Sequence, residues 1–167
     1  MLQKEMIILG IDPGTATTGY GLIKKTNQGI KHISHGCIFT PSKEQFEKRL
    51  EKIFDVLQIL IKKYKPDIAA VENIFFFKNE KTAFSVGQAR GVILLAAIKN
   101  HLDIFEATPL EVKQAVSGYG RAEKMQVQRM VKLLLNLPEI PRPDDAADAL
   151  AVAITCAHSI KKYLPKN

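Results

Sequence analysis

The stretch Ile-Ile-Leu-Gly-Ile-Asp-Pro-Gly-Thr, residues 7–15, decides the fold of this chain. Its apolar run, followed by a Pro-Gly turn signal, predicts a strand that is buried on both faces. Asp12 places a carboxylate at the end of that strand, just before the chain turns. An aspartate before Pro-Gly is also a common turn residue, so Asp12 alone does not separate a structural role from a functional one.

A second apolar run also ends in an acid. Residues 68–71, Ile-Ala-Ala-Val, predict another buried strand, and Glu72 follows them directly. No turn signal explains an acid at that place, since Asn-Ile-Phe comes next. If the two strands are neighbours with the same direction, Asp12 and Glu72 lie at the same edge of the sheet.

Three acids head an apolar helix near the C-terminus, Asp-Asp-Ala-Ala-Asp-Ala-Leu-Ala-Val-Ala-Ile at residues 144–154. Asp144 is explained as the helix cap, and acids favour the positive end of the helix dipole. That explanation is weaker for Asp145 and Asp148, which are three residues apart and share one face. Their stripe continues with small, largely apolar residues and is expected to face the sheet.

Carboxylates gathered at one edge of a sheet repel one another unless cations neutralise them or protons are shared between them. A metal-dependent site is therefore the first functional hypothesis. Two Mg²⁺ ions held by such acids can activate a water molecule and stabilise both the attacking and the leaving oxygen of a phosphodiester.

The composition fits one domain with a real core and a basic surface. The chain has 167 residues, of which 46% are hydrophobic, and no repeat or linker, so residues 1–167 are interpreted as a single domain. Its 24 basic and 17 acidic residues give a net charge of +7. A basic surface around an acidic site suits a polyanion such as nucleic acid, although many basic proteins bind none.

The chain lacks the pattern of a signal peptide or a membrane span, since its longest apolar stretch, residues 91–98, is far too short. Cys37 and Cys156 are isolated in sequence and have apolar neighbours. Buried free thiols in a reducing compartment are the expectation. We therefore expect a cytoplasmic protein with no membrane partner.

The order of apolar periodicities predicts three strands, a helix, a strand, a helix, a strand and then further helices. Such an order implies a mixed sheet flanked by helices. Residues 108–111, Thr-Pro-Leu-Glu, predict a helix start with a capping box. The predicted strands are residues 6–12, 19–24, 30–39, 68–72 and 104–107, and the predicted helices are residues 46–64, 82–100, one from 108, 123–135 and one from 144.

Four motifs resemble the RuvC family of Holliday junction resolvases, which have an RNase H-like fold. They are Ile-Leu-Gly-Ile-Asp-Pro-Gly at residues 8–14, Gly-Tyr-Gly at 19–21, Gly-Gln-Ala-Arg-Gly at 87–91 and Asp-Ala-Ala-Asp-Ala-Leu-Ala at 145–151. The motifs follow one another in order across nearly the whole chain. The resemblance implies an α/β, RNase H-like domain with a five-stranded mixed sheet flanked by helices.

The resemblance also implies an activity. It suggests a homodimeric, Mg²⁺-dependent endonuclease of recombination and repair that nicks four-way DNA junctions symmetrically and leaves 5′-phosphates and ligatable nicks. By this resemblance the catalytic carboxylates and metal ligands are Asp12, Glu72, Asp145 and Asp148, with two Mg²⁺ ions per site and Mn²⁺ as a substitute. Asp144 is then the cap and not a ligand. The RuvA/RuvB branch-migration complex is the further partner that the resemblance implies.

Three consecutive aromatic residues, Phe-Phe-Phe at 75–77, follow the second acid-ended strand. They cannot all point into one core. One or two of them can pack in the core or at a dimer contact, and an exposed ring can stack on an unpaired base. The resemblance favours Phe75 as a wedge at the junction centre, and Phe76 is a second candidate for a DNA contact.

Basic residues near the predicted site are candidates for contacts with the DNA backbone. Lys113 and Lys124 match positions where the family uses basic residues near the scissile phosphate, although a solvated helix face is the ordinary explanation for any lysine. Lys78 and Lys81 follow the aromatic run, and Arg90 lies in the third motif.

The predicted helix at residues 82–100 offers a surface for self-association. Ala83, Gly87 and Gly91 recur four residues apart, and small residues on one face allow another helix to approach closely. The same face could equally pack on the protein's own sheet. The resemblance favours a homodimer.

Two other functions remain open. The first strand and its Asp-Pro-Gly-Thr turn also resemble the phosphate loop of actin-like and sugar-kinase ATPases. Those proteins need two such domains to enclose a nucleotide, and 167 residues cannot provide them. A non-catalytic junction-binding protein would use the basic surface alone, but carboxylates near DNA oppose binding unless metals occupy them.

Overall fold

Five strands and five helices account for most of the chain in the computed structural model, which describes residues 5–73 and 80–160. The side chains of residues 80 and 81 are not among the described parts. The strands are β1 (Met6–Asp12), β2 (Thr17–Thr26), β3 (Gly29–Phe39), β4 (Ile68–Glu72) and β5 (Asp103–Ala107). The helices are α1 (Phe46–Tyr64), α2 (Glu80–Lys99), α3 (Pro109–Ser117), α4 (Lys124–Leu134) and α5 (Asp144–Ser159).

The strands form one sheet in the order β3-β2-β1-β4-β5. The first three strands are antiparallel neighbours, which short turns can join, whereas β1, β4 and β5 run parallel. Parallel neighbours need a long crossover connection, and α1 and α2 occupy those two connections. The predicted α/β, RNase H-like arrangement of a five-stranded mixed sheet flanked by helices is confirmed.

The central strand β1 is covered on both faces, as its unbroken apolar run predicts. Leu9 and Ile11 pack in the layer that contains α1 and α2, while Ile8 packs in the layer that contains α3, α4 and α5. Side chains alternate along a strand, so Asp12 projects toward the same layer as Ile8. By the same alternation Glu72 projects toward α5, because Ile68 and Ala70 pack in that layer.

The buried helix α5 lies unusually close to the sheet because glycines face it. A Cβ atom on Gly10 would overlap the carbonyl oxygen of Ala149, and a Cβ atom on Gly19 would overlap the carbonyl oxygen of Asp145. At Gly21 a Cβ atom would lie 2.7 Å from the side chain of Leu150. The glycines of the first two sequence motifs therefore set the height of α5 above β1 and β2.

Helix starts were predicted with mixed success. The capping box of α3 is confirmed, because the Thr108 hydroxyl accepts from the Glu111 amide at 3.2 Å and the Glu111 carboxylate accepts from the Thr108 amide at 2.8 Å. The prediction that Asp144 caps α5 is wrong. Pro143 occupies the cap position in an extended conformation, and Asp144 is the first helical residue and makes no side-chain cap hydrogen bond. Its carboxylate pairs with Arg142 instead.

Both cysteines lie within the described residues. Cys37 is half-buried and Cys156 is buried, and both are free thiols. Within residues 5–73 and 80–160, no helix combines the length and the apolar character needed to cross a bilayer.

We predict that Gly10→Ala destabilises the protein by about 1–3 kcal/mol or more, because the new methyl group collides with the α5 backbone and the helix must move away from the sheet. Thermal or urea unfolding of the metal-free protein measures the effect. Gly120→Ala is the matched control, since its Cβ atom would meet only side chains, at 2.8 Å from the exposed Leu110 and 3.6 Å from Gln114, and no backbone atom. Equal stability of the two variants would contradict close packing at Gly10.

Candidate active site

Two of the four predicted carboxylates come from neighbouring parallel strands. Ile11 of β1 pairs with Val71 of β4, so the next residues, Asp12 and Glu72, end the two strands side by side. Adjacent strands lie about 4.8 Å apart. Both side chains project toward α5, and both are partly buried.

The other two carboxylates come from the first turns of α5. The contact of Gly19 with the Asp145 backbone places the start of α5 over the carboxyl-terminal end of β1, because Gly19 pairs with Asp12. Asp148 lies one turn further along the same face, with 27% of its side chain exposed. The structure thus brings the four acids to one edge of the sheet from three separate elements.

The acids lie close enough to raise the pKa of Asp12 and of Glu72. Burial, followed by the charges of Glu72, Asp148 and Asp145, raises the pKa of Asp12 well above its usual range. Burial and the charge of Asp148 raise the pKa of Glu72 to about 7, against the opposing effects of Lys124 and Lys113. Clustered like charges in a partly buried site are costly without a cation. The cluster is therefore an anionic site that attracts positive charge.

Two lysines supply part of that positive charge. The Lys124 ammonium lies 2.9 Å from the Asp148 carboxylate and 3.8 Å from that of Asp144. Burial raises the pKa of Asp148, and the hydrogen bond from Lys124 opposes that effect. Lys113 is close enough to Glu72 to oppose the rise in that pKa. Both lysines thus lie beside the carboxylates on helices that follow β5, Lys113 within α3 and Lys124 at the start of α4.

The donor set suits a hard divalent cation. All four side chains offer carboxylate oxygens, which Mg²⁺ and Mn²⁺ prefer over nitrogen or sulfur ligands. No trio of His, Cys, Asp or Glu side chains within the described ranges is already arranged as a metal-binding group. Asp148 is instead paired with Lys124. The residues fit the cation in chemistry and charge, and a bound cation would take over the role of counter-charge from Lys124.

The structure also brings Cys37 of β3 to this edge. Burial and the nearby charge of Asp145 raise the pKa of the Cys37 thiol to about 11. The thiol is therefore protonated at neutral pH in the metal-free protein. Its sequence position gave no signal of this proximity, because β3 lies far from α5 along the chain.

The other predicted DNA contacts fall into two groups. Phe75, Phe76 and Lys78, together with the side chain of Lys81, lie outside the described residues. Arg90 is described, and it is engaged within the protein. Its guanidinium donates to the Asn73 side chain at 3.0 Å and forms an ion pair with Glu106. Sequence reasoning missed Asn73 and Glu106 because neither belongs to a charged motif.

The chain is similar to known proteins along most of its length. A family model described as crossover junction endodeoxyribonuclease RuvC matches residues 8–156. The crossover junction endodeoxyribonuclease RuvC of Halothermothrix orenii is 58% identical over 156 residues, or 93% of this chain and 94% of that protein. The protein of the same name from Heliobacterium modesticaldum is 56% identical over 155 residues, or 93% and 96% of the two chains.

A solved structure agrees with the sequence comparison. Thermus thermophilus RuvC in complex with Holliday junction substrate is 33% identical and superposes with a TM-score of 0.89, covering 95% of this chain and 96% of that one. The chain therefore belongs to the RuvC family of crossover junction endodeoxyribonucleases. The family membership predicted from the four motifs is confirmed.

We predict that Glu72→Gln stabilises the metal-free protein at pH 8. The pKa of Glu72 is about 7 in the folded protein, against 4.5 for a free glutamate. Between these two pH values the folded protein therefore binds one proton that the unfolded protein does not. The unfolding free energy then decreases as pH rises through this window. The amide removes this penalty, on the order of 1–2 kcal/mol at pH 8 after allowance for solvent screening.

Unfolding in EDTA at pH 8 and at pH 5 tests this prediction. The gain from Glu72→Gln should shrink as the pH falls, because the wild-type carboxyl then becomes protonated. Glu44→Gln, at an exposed position before α1, is the control and should change little at either pH. A gain that is independent of pH would contradict the proposed charge repulsion.

Proposed function

We propose that this protein is a Holliday junction resolvase that cuts four-way DNA junctions by metal-assisted phosphodiester hydrolysis. The observation that carries the proposal is the convergence of four carboxylates and two lysines at one sheet edge, in a chain of the RuvC family. The relative from Thermus thermophilus was solved with a Holliday junction substrate. The basic net charge of +7 suits a polyanionic ligand.

The carboxylates would hold the metal. Asp12, Glu72, Asp145 and Asp148 are the proposed ligands of two Mg²⁺ ions, with Mn²⁺ as a substitute. When bound, Mg²⁺ supplies the Lewis acidity that makes water a nucleophile and offsets charge on the leaving oxygen. In-line attack that expels the 3′-oxygen leaves a 5′-phosphate and a 3′-hydroxyl, which a ligase can rejoin.

The lysines would act on the phosphate. Lys124 is 55% exposed while it contacts Asp148, so its ammonium can turn to the scissile phosphate once a cation occupies the carboxylates. Lys113 lies on the Glu72 side of the cluster. Together they would stabilise the extra negative charge of the transition state in a partly buried site.

The segment after β4 would contact the junction centre. Phe75, with Phe76 as the second candidate, is proposed to stack on an unpaired base, and Lys78 and Lys81 to contact the backbone. The support is their position in sequence, three to nine residues after Glu72. The RuvA/RuvB complex as a partner and a cytoplasmic location are proposed from family membership.

A second copy of the chain would complete the assembly. Two symmetric nicks require two sites, and the described part of each chain offers one carboxylate cluster. The outer face of α2 is apolar and exposed: Phe84 is 75% exposed, Leu95 54% and Ile98 59%. Gly87 and Gly91 have open space above them. The inner face packs on the core through Ala89, Ile93, Ala96 and Ala97, so the outer face is free to pair with a second copy.

The central test compares cutting of a four-way junction with cutting of its linear arms, each with Mg²⁺ and with EDTA. Paired nicks in the junction alone, and only with Mg²⁺, are expected. Tight junction binding without cutting under all metal conditions would favour the non-catalytic junction-binding protein instead. Cutting of the linear arms at the same rate would contradict junction specificity.

We predict that Asp145→Asn slows junction cutting by about 100-fold or more, since removal of even an indirect metal-binding group typically costs 10- to 100-fold. Junction binding should stay intact or become tighter, because one negative charge near the phosphates is lost. Asp12→Asn, Glu72→Gln and Asp148→Asn should behave alike. Single-turnover cutting and gel-shift binding measure the two effects separately.

The matched control is Asp144→Asn, one residue away. Asp144 is 42% exposed and pairs with Arg142 and Lys124 at the rim of the site. Exposed pairs of this kind contribute little, so most of the activity should remain. An inactive Asp144→Asn, or a wild-type rate for Asp145→Asn, would contradict the assignment of the carboxylates.

We predict that Gly87→Leu weakens dimerisation at least tenfold, or about 1.4 kcal/mol, because the larger side chain keeps two α2 helices apart. Nicks in opposite strands should then become uncoupled. Sedimentation over a concentration series and the ratio of single to double nicks measure these outcomes. Gln126→Leu on exposed α4 is the control for a new surface leucine. A wild-type protein that is monomeric at micromolar concentration with junction bound would refute the dimer.

A further inference from the structure

A partly buried arginine connects α2 to the strand ends beside the site. The Arg90 side chain is 20% exposed. Its terminal nitrogen Nη2 donates to Asn73 Oδ1 at 3.0 Å and pairs with the Glu106 carboxylate. Its Nε atom is fully buried and finds no hydrogen-bond partner among the described residues. A charge held this way is costly to bury and is retained only with good partners.

The two partners of Arg90 lie at the ends of the two strands nearest to it. Asn73 directly follows Glu72. Its backbone N–H donates to the Ala107 carbonyl at 2.8 Å, which extends the β4–β5 pairing by one residue. Glu106 pairs with Val71, and Ala107 pairs with Glu72. Arg90 therefore fastens the residue after Glu72 and the strand beside it to one point on α2.

These contacts leave little of the Arg90 guanidinium accessible to a DNA phosphate. A guanidinium contact to a phosphate needs exposed N–H groups, and the Arg90 side chain is only 20% exposed while Nη2 serves both Asn73 and Glu106. Lys113 and Lys124, in contrast, each have a cationic head near the carboxylates. The contacts of Arg90 are those of a group that holds structure in place.

We propose that Arg90 is a positioning residue, which fixes the end of β4 through Asn73 and Glu106 and thereby aims the Glu72 carboxylate at the metal-binding cluster. The inference rests on the proposed nuclease function. It replaces the predicted contact of Arg90 with the DNA backbone. Because Arg90 lies on α2 between Gly87 and Gly91, it also connects the proposed dimer helix to the site.

The test compares Arg90→Gln with Glu106→Gln, because the two possible roles predict different effects for the partner. If Arg90 positions Glu72, both variants need more Mg²⁺ for half-maximal junction cutting, by about threefold or more. Both should also show a smaller rise in melting temperature when Mg²⁺ is added to the protein without DNA. The double variant should need no more Mg²⁺ for half-maximal cutting than Arg90→Gln alone, since the two residues act as one unit.

Junction affinity in EDTA at several salt concentrations tests the alternative. A positioning role leaves the affinity and its salt dependence unchanged in both variants. For Arg90→Gln, a slope of log affinity against log salt concentration that is smaller by about one counterion would indicate a lost phosphate contact. Together with tighter binding by Glu106→Gln, it would identify Arg90 as a DNA contact and overturn the proposal. Wild-type Mg²⁺ dependence in both variants would also overturn it.

Two controls keep the result interpretable. Arg129→Gln removes an exposed arginine of α4 and should leave the Mg²⁺ dependence unchanged. If Arg90→Gln fails to fold, Glu106→Gln still decides, because Glu106 is 41% exposed and its loss is better tolerated. If the wild-type protein fails to cut junctions, the proposed function fails, while the Mg²⁺-induced rise in melting temperature still tests whether Arg90 acts on the metal cluster.

Discussion

The close packing of α5 against β1 and β2 is the constraint on which the rest of the structure depends. Gly10 and Gly19 let the helix backbone touch the strand backbone, and α5 is buried along most of its length. A helix standing one methyl group higher would carry Asp145 and Asp148 away from Asp12. The same contact thus forms part of the apolar core on the α5 face of the sheet and sets the distances within the carboxylate cluster.

That packing has an electrostatic cost at one end. It forces carboxylates from three elements together, and burial with mutual repulsion raises the pKa of Asp12 and Glu72. Lys124 relieves part of this through its contact with Asp148. Removal of this repulsion would favour the binding of cations, which is the physical basis of the proposed metal site.

Helix α2 connects the proposed dimer surface to the carboxylate cluster. Its inner face packs on α1 and the sheet, and Arg90 reaches from it to Asn73 and Glu106 at the strand ends. Its outer face presents exposed Phe84, Leu95 and Ile98 around two unobstructed glycines. A second copy on the outer face would therefore lie one helix diameter from the groups that hold Glu72. This geometry gives the proposed dimer a direct physical connection to the carboxylate cluster.

The sequence by itself determined the strands β1 and β4 and the helix α1, because local periodicity and abrupt chemical boundaries mark them. The same boundaries drew attention to five acids, and the family resemblance then selected Asp12, Glu72, Asp145 and Asp148 among them. The sequence also determined the capping box at Thr108, a signal contained within four residues. Only the tertiary structure decided that Pro143 and not Asp144 occupies the cap position of α5, that Asp144 pairs with Arg142, and that Arg90 contacts Asn73 and Glu106. Those outcomes depend on backbone conformation and on partners distant in sequence, which no local pattern encodes.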